Sequence, residues 1–337
     1  MALTKSWVIR QLNVNNAFLH GELVEEVYIK QHKAEQGSLW VKTSPKRLTY
    51  ILVYVDDIII TGESEKLVKE AIEQLNAKFV LKDMGSLHYF LGIQVERSKA
   101  GDLLLSQQKY IGEILKKAGM AGCTSCHTPL PSTVKFSALG GPQFVNLQLY
   151  RSVIGSLKYL AITRPKISYS VNKMAQFVQA PLDVHWQMVK KILRYLSSTR
   201  HYGLYLKQEN SMQIAVYSDS DWARDPDDRK STSGYCCHLR EAPLMYCDNL
   251  SAVLLAANPI LHLKSKHFEI DLHFVRGHVN NKNVKISHIP EIVQVADVLT
   301  KAVPSEKFLQ FKYRLNIVEM ESDDQQANQE IRTSSNT

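Results

Sequence analysis

Tyr50–Gly62 reads YILVYVDDIIITG. Two adjacent acids, Asp56 and Asp57, interrupt β-forming residues that run on both sides of them. The pattern predicts a hairpin with both carboxylates at its tip. Asp also favours turns for its own local reasons. Carboxylates set among apolar residues cost desolvation unless a cation compensates them. Mg²⁺ is a natural partner, since it takes hard oxygen ligands and shares them with substrate phosphates.

Working outward, strands are predicted over residues 7–14, 27–31, 38–43, 48–55 and 58–61, with a short helical stretch between the first two. Ser64 is placed to cap a helix whose apolar face holds Leu67, Ala71, Ile72, Leu75 and Phe79. Residues 87–96 and 102–106 read as a hairpin turned by Lys99-Ala100-Gly101, and 108–118 as a helix. Pro129, Pro131 and the Gly140-Gly141-Pro142 run mark a boundary. Helices over 147–161, 165–178 and 181–198 follow, with Pro165 and Pro181 at first-turn positions. Period-two patterning then returns over 213–218, 234–239, 244–247 and 285–289. Helices are expected over 250–257, 267–275 and 295–300. From Glu319 onward the chain is polar and acidic and is expected to be disordered.

The 337 residues suffice for two or three domains, and 45% apolar with 22% charged content suits a buried core. This excludes a wholly disordered chain, a collagen-like repeat and a disulfide-stapled miniprotein. Five Cys without framework spacing point to a reducing compartment. No apolar run reaches the roughly 18 residues of a membrane span, and the opening MALTKSW lacks the apolar core of a secretion signal. The expected location is intracellular, cytoplasmic or nuclear, and not secreted. Of 41 basic and 33 acidic residues, one base and five acids lie in 319–337, leaving 40 against 28, or +12, before them. Such a basic body suits a nucleic-acid partner, or is simply a soluble basic surface.

The hairpin, with YVDD at 54–57, resembles the catalytic hairpin of copia-type retrotransposon reverse transcriptases. Seven further blocks resemble that family in its order. They are RQLNVNNAFLHGELVEEVYIKQ (10–31), LKDMGSLHYFLGIQV (81–95), YRSVIGSLKYLAITRPKISYSVNKMAQF (150–177), HWQMVKKILRYLSST (185–199), YSDSDWARDPDDRKSTSGYC (217–236), CDNLSAVLLAANPILHLKSKHFEIDLHFVR (247–276) and VQVADVLTK (293–301).

The resemblance implies an α+β chain: a partial reverse-transcriptase palm with thumb-like helices, then a truncated RNase H-like α/β domain. The implied parts are a palm and primer-grip region at 1–128, helices at 129–208, an RNase H-like domain at 209–318 and an acidic tail at 319–337. The implied chemistry is RNA-directed DNA polymerisation with RNase H, on a primer–template or RNA/DNA hybrid, with Mg²⁺ as cofactor. Asp56 and Asp57 are the implied polymerase ligands. The family's first block has Gln-Leu-Asp-Val where this chain has Gln11-Leu12-Asn13-Val14, so a ligand carboxylate is replaced by an amide. The fingers segment is expected to be absent. His32–Lys46 is too short for the family's palm helix and its Leu-Tyr-Gly-Leu-Lys-Gln motif.

The RNase H-like half matches at Asp219, Asp248 and Asp297, with Asp221 as a second acid on the first strand. The family's Glu should fall between Leu239 and Tyr246, where Arg-Glu-Ala-Pro-Leu-Met stands without room for a strand and a helix. Asp248 is also placed to cap the helix beginning at Leu250. The expectation is a catalytically defective, retrotransposon-derived chain. The alternatives are a non-catalytic nucleic-acid-binding remnant or a pseudogene product. Lys109, Lys116, Lys117, Lys158, Lys190, Lys191 and Arg194 are the candidate phosphate contacts. Cys123-Thr-Ser-Cys126-His127 has haem-attachment spacing without an export context. His262, His267, His273 and His278 are not spaced for one zinc-binding helix face.

Overall fold

The computed structural model describes residues 2–3, 5–14, 39–42, 48–132, 137, 140–208, 213–221, 232–238, 240–257 and 266–319. The helix and strand expected within 15–31, the tail from 320, and His262 lie outside the described residues. The fold is α+β. It divides into two compact units, Met1–Leu104 with Leu206–Asn210, and Leu105–Tyr205 with Ser211–Thr337.

The first unit is built on a five-stranded sheet. Its strands are β1 (Val8–Val14), β2 (Leu39–Lys42), β3 (Thr49–Tyr54), β4 (Asp57–Gly62) and β5 (Leu81–Ser86), in the order β2-β3-β4-β1-β5. Helix α1 (Glu65–Asn76) follows β4, and Ser64 accepts a hydrogen bond from Leu67 N at 3.3 Å as its cap. Leu12, Ile58, Ile60 and Val68 form the core, with Ala71, Ile72 and Leu75 packed on it. Val68, not the expected Phe79, anchors the helix, which ends at Asn76 and leaves Phe79 exposed. The strand expected over 87–96 is two strands, β6 (Tyr89–Phe90) and β7 (Ile93–Arg97), because Leu91 and Gly92 both take positive φ. Strand β8 (Leu103–Ser106) follows the expected turn, where Gly101 N donates to Ser98 O at 3.0 Å.

The second unit has a helical core. It contains α2 (Gln108–Lys117), α3 (Leu147–Leu160), α4 (Ser168–Ala175) and α5 (Asp183–Ser198). Tyr150, Val153, Ile154 and Leu157 on α3 and Val189, Ile192, Leu193 and Leu196 on α5 recur at helical spacing and are fully buried or nearly so. Pro165 opens a short 3₁₀ turn ahead of α4, while Pro181 lies just before α5. Arg164, 3% exposed, donates to the carbonyls of Thr199, the residue that caps α5, and of Arg200 and Tyr202 just beyond it. Strand β9 (Tyr202–Leu206) comes next.

The same unit carries a four-stranded sheet. Its members are β10 (Gln213–Asp221), β11 (Thr232–His238), β12 (Arg240–Cys247) and β13 (Lys285–His288), in the order β11-β10-β12-β13. β10 pairs antiparallel with β11 and parallel with β12, and β12 pairs parallel with β13. Only Leu239 separates β11 from β12 in the sequence. Arg240-Glu241-Ala242-Pro243 is therefore strand, and β12 is twice as long as the run expected at 244–247. Helices α6 (Leu250–Ala257) and α7 (Lys266–Asn280) connect β12 to β13, and α8 (Asp297–Thr300), α9 (Ser305–Arg314) and β14 (Ile317–Glu319) close the unit. Val295, Val298, Phe308, Phe311 and Ile317 pack into the helical core.

Lys166 sits in that core at 3% exposure, with its ammonium 3.9 Å from the Phe308 ring centre. Burial first, then the Lys312 and Arg164 charges, lower its pKa from 10.5 to about 7. Between those values the unfolded chain holds a proton that the folded chain does not, so this group's contribution makes stability rise with pH across the window. Below about pH 7 the folded state carries the full burial penalty of the charge. Lys166→Met should therefore stabilise the chain by roughly 2 kcal/mol or more at pH 6, and much less at pH 10. Urea midpoints at the two pH values check this, and an equal gain at both would contradict it.

Candidate metal centres

Two groups of acids form, one in each unit. In the first, the register Tyr54↔Asp57 leaves Val55 and Asp56 as a two-residue turn between β3 and β4. Val55 takes φ +54° and is 55% exposed. A β-branched residue in this left-handed region is strained, where Asn or Gly is usual. Val14 N donates to Asp56 O at 2.7 Å, tying the turn to β1. Because β1 lies antiparallel beside β4 with Asn13 opposite Asp57, all three side chains meet. Asn13 Nδ2 donates to Asp56 Oδ2 and to Asp57 Oδ1, each at 3.3 Å.

The amide thus aims N–H donors at the space that a cation between the carboxylates would fill. Two divalent ions would bring four positive charges against two carboxylates and a neutral amide, so these residues do not fit a two-ion centre. The expected grouping of Asn13 with Asp56 and Asp57 is present in the geometry, with the amide acting as donor.

The second group is Asp219, Asp248 and Asp297, whose ligand oxygens lie within 4.8 Å of one another. β10 presents Asp219, the end of β12 presents Asp248, and α8 begins at Asp297, which is fully buried. Asp248 does not cap α6. Asn249 does, its Oδ1 accepting from Ala252 N at 3.0 Å, which leaves the Asp248 carboxylate to the cluster. The side chains of Asp221 and Glu241 lie outside the described residues. Among the described residues the cluster holds these three acids.

Four neighbours surround them. Gln294 Nε2 donates to Ser218 O at 2.9 Å and to Asp248 Oδ1 at 3.3 Å. Thr300 Oγ1 donates to Asp219 Oδ2. Lys301 Nζ lies 2.9 Å from Asp297 Oδ1 and 3.9 Å from Asp219 Oδ2. Lys307 Nζ lies 2.5 Å from Asp297 Oδ2 and 3.4 Å from Glu291. Lys301 stands four residues after Asp297, a spacing the sequence displays. Lys307 comes from another helix, which no local pattern reveals.

Burial pushes the Asp297 carboxyl above the usual carboxylate range, against the pull of Lys307 and Lys301. Burial acts to lower Lys301 too, yet Asp297 and Asp219 hold it above its ordinary value. Asp297 Oδ1 is buried and makes no aligned hydrogen bond, only the ion pair with Lys301. Three converging carboxylates fit one divalent cation, with the Lys301 ammonium already set against Asp297 Oδ1.

The remaining candidates resolve simply. Cys126 Sγ donates to the carbonyls of Thr128 at 3.4 Å and Lys191 at 3.3 Å, a structural role. The His278 ring packs edge-on against Phe274. Among the described residues no helix is long and apolar enough to cross a membrane.

Asn13→Asp sets a third carboxylate against two others across the β1–β4 register. Like charges placed directly opposite destabilise. The variant should lose about 1 kcal/mol without metal, and 10 mM Mg²⁺ should recover part of that loss while leaving the wild type unmoved. Melts with and without Mg²⁺ check this; an unchanged midpoint would count against the contacts described.

A family profile described as reverse transcriptase (RNA-dependent DNA polymerase) matches residues 31–132. The chain is 34% identical over 409 aligned positions to a retrovirus-related Pol polyprotein from transposon RE1 of Arabidopsis thaliana, covering 94% of this chain and 28% of that protein. It is 41% identical over 190 positions to an uncharacterized mitochondrial protein of A. thaliana, covering 56% of this chain and 78% of that one. It is 30% identical over 217 positions to a putative transposon Ty5-1 protein of Saccharomyces cerevisiae, covering 64% and 70%. The chain spans less than a third of the Pol polyprotein's length. Since 94% of 337 residues is about 317, about 90 of the 409 positions aligned with that polyprotein hold no residue of this chain. With the YVDD hairpin in place and relatives matched along nearly its whole length, this chain belongs to the copia-type retrotransposon Pol polyproteins.

Proposed function

We propose that the chain is an internally shortened copia-type reverse-transcriptase remnant that has lost catalysis and retains nucleic-acid binding. Its parts are a partial palm over 1–128, thumb-like helices over 129–208 and a truncated RNase H-like domain over 209–318. The observation that carries this reading is the Asn13 amide, which donates to both Asp56 and Asp57 where the family pattern has a carboxylate. The roughly 90 unmatched positions against the RE1 polyprotein support internal shortening. So does the passage from β11 to β12 across one residue, in the interval where the family carries a strand and a helix. The antiparallel–parallel–parallel sheet with acids from β10, β12 and α8 supports the RNase H-like assignment.

Mg²⁺, when bound in such sites, stabilises the attacking and leaving oxygens of phosphoryl transfer. In the second unit Asp219, Asp248 and Asp297 would hold a single ion, with Thr300 and Gln294 fixing two of the carboxylates. The chain's own groups do the rest of what remains: Lys109, Lys116 and Lys117 on α2 and Lys158 on α3 stand exposed to solvent, and Lys190, Lys191 and Arg194 on α5 are half-buried. Cations on such surfaces contact phosphates without reading bases. Lys116 and Lys117 also complement the C-terminal end of α2, which on its own is a purely structural use.

Neither DNA synthesis nor hybrid-RNA cleavage is expected from the chain. Losing one preorganised electrostatic group typically costs about 10²–10³ in rate, and here the polymerase carboxylate and the family's template-contacting motif are both missing. Asn13→Asp alone should not restore primer extension with Mg²⁺ or Mn²⁺. Clear extension by the unaltered chain would overturn the reading.

Binding to a labelled primer–template should weaken steeply with salt. Neutralising about six phosphates gives a log–log slope of roughly −5. Removal of the acidic residues after 319 should tighten the complex modestly at low salt. A flat salt dependence, or no binding at about 50 mM salt, would leave the basic charge to solubility alone.

A further inference from the structure

In the second-unit cluster, Lys307 takes Oδ2 of Asp297 and shares its charge with Glu291. Lys301 is placed differently. Its Nζ faces Asp297 Oδ1 at 2.9 Å and Asp219 Oδ2 at 3.9 Å. Those oxygens belong to two of the three carboxylates that converge within 4.8 Å, so the ammonium stands where a bridging cation would contact both. It is also held there: Lys301 N donates to Asp297 O at 2.9 Å, closing the last turn of α8, and its side chain is only 24% exposed. Thr300, the preceding residue, binds the same Asp219 oxygen.

Two positive charges competing for the same carboxylates repel one another. An ammonium makes N⁺···O⁻ contacts of roughly 2.7–2.9 Å, whereas Mg²⁺ needs oxygens at about 2.0–2.1 Å. Seating a divalent ion therefore requires the Lys301 head group to move and the carboxylates to close in.

We propose that Lys301 is a built-in counter-ion of the Asp219–Asp248–Asp297 cluster, holding the carboxylates together without metal and weakening their affinity for a divalent cation. This rests on the reading of the cluster as a divalent-cation site. Lys301 is a positioning residue in this scheme, and its effect is on binding and folding rather than on a reaction step.

Mn²⁺ alone serves as the probe, with bound ion followed by electron paramagnetic resonance on the full chain. Lys301→Gln should tighten Mn²⁺ binding about tenfold or more, Lys301→Arg should bind as weakly as the wild type, and Asp248→Asn should abolish the tightened site when added to Lys301→Gln. Without metal, Lys301→Gln should melt below the wild type, and Mn²⁺ should restore it. Affinity in Lys301→Gln equal to or weaker than in the wild type, with Asp248→Asn still removing the ion, would overturn the counter-ion role while sparing the cation site. Binding untouched by Asp248→Asn, or no binding in any variant, would overturn the site and the proposal together. If Lys301→Gln unfolds, recovery of a cooperative melt on adding Mn²⁺ supports the proposal, and failure to recover overturns it.

Discussion

Asp297 carries its carboxylate at zero exposure, inside the unit that holds both the helical core and the β10–β13 sheet. An ion in that position needs charged partners, because an unpaired buried charge costs several kcal/mol. The partners come from different elements: Lys301 follows α8, Lys307 belongs to α9, and Asp219 on β10 shares Lys301. Satisfying one carboxylate thus ties α8 to α9 and draws β10 toward both. The apolar residues on either side, Val295, Val298, Phe308 and Phe311, bury in the same step. Packing and charge pairing therefore enforce one another.

The first unit handles its carboxylates in another way. Asp56 and Asp57 lie at the surface end of a hairpin, where water screens part of their repulsion, and the Asn13 amide supplies two N–H donors. An amide asks for no counter-ion and pays little desolvation, so the sheet closes without metal. A carboxylate at that position would bind a cation better and tolerate its absence worse. One atom's difference in a side chain moves this hairpin from a metal-dependent arrangement toward a self-sufficient one.

Much of the local structure was legible because it rests on periodicity and capping. The β3–β4 hairpin, Ser64 as cap, and α2, α3 and α5 all follow from patterns within a dozen residues. Local pattern and structure part company where distant contacts override local preference. Glu241 and Pro243 fall within β12 at a bulge, where its register against β10 jumps from Gln213↔Arg240 to Ala215↔Leu244, a place where Pro is tolerated but which a Pro-containing run does not announce. Leu91–Gly92 breaks a strand through backbone dihedrals rather than through composition. Strands β9 and β14 are short and pair with each other from opposite ends of the unit, Ile317 with Leu204, so neither carries a strong signal alone.

By itself the sequence determined the kind of chemistry in question: acids on two hairpin or strand ends, an Asn in place of an Asp, a basic body and eight blocks in a family order. Those are statements about residue identity and spacing, which a linear chain carries in full. Tertiary structure alone decided that Asn13 turns its donors on both hairpin carboxylates, that Asn249 rather than Asp248 caps α6, and that Lys301 stands between Asp219 and the buried Asp297. Each of these depends on distances of a few ångströms between side chains far apart in the chain or free to point several ways. Electrostatic energies change steeply over such distances, and a sequence records no distances.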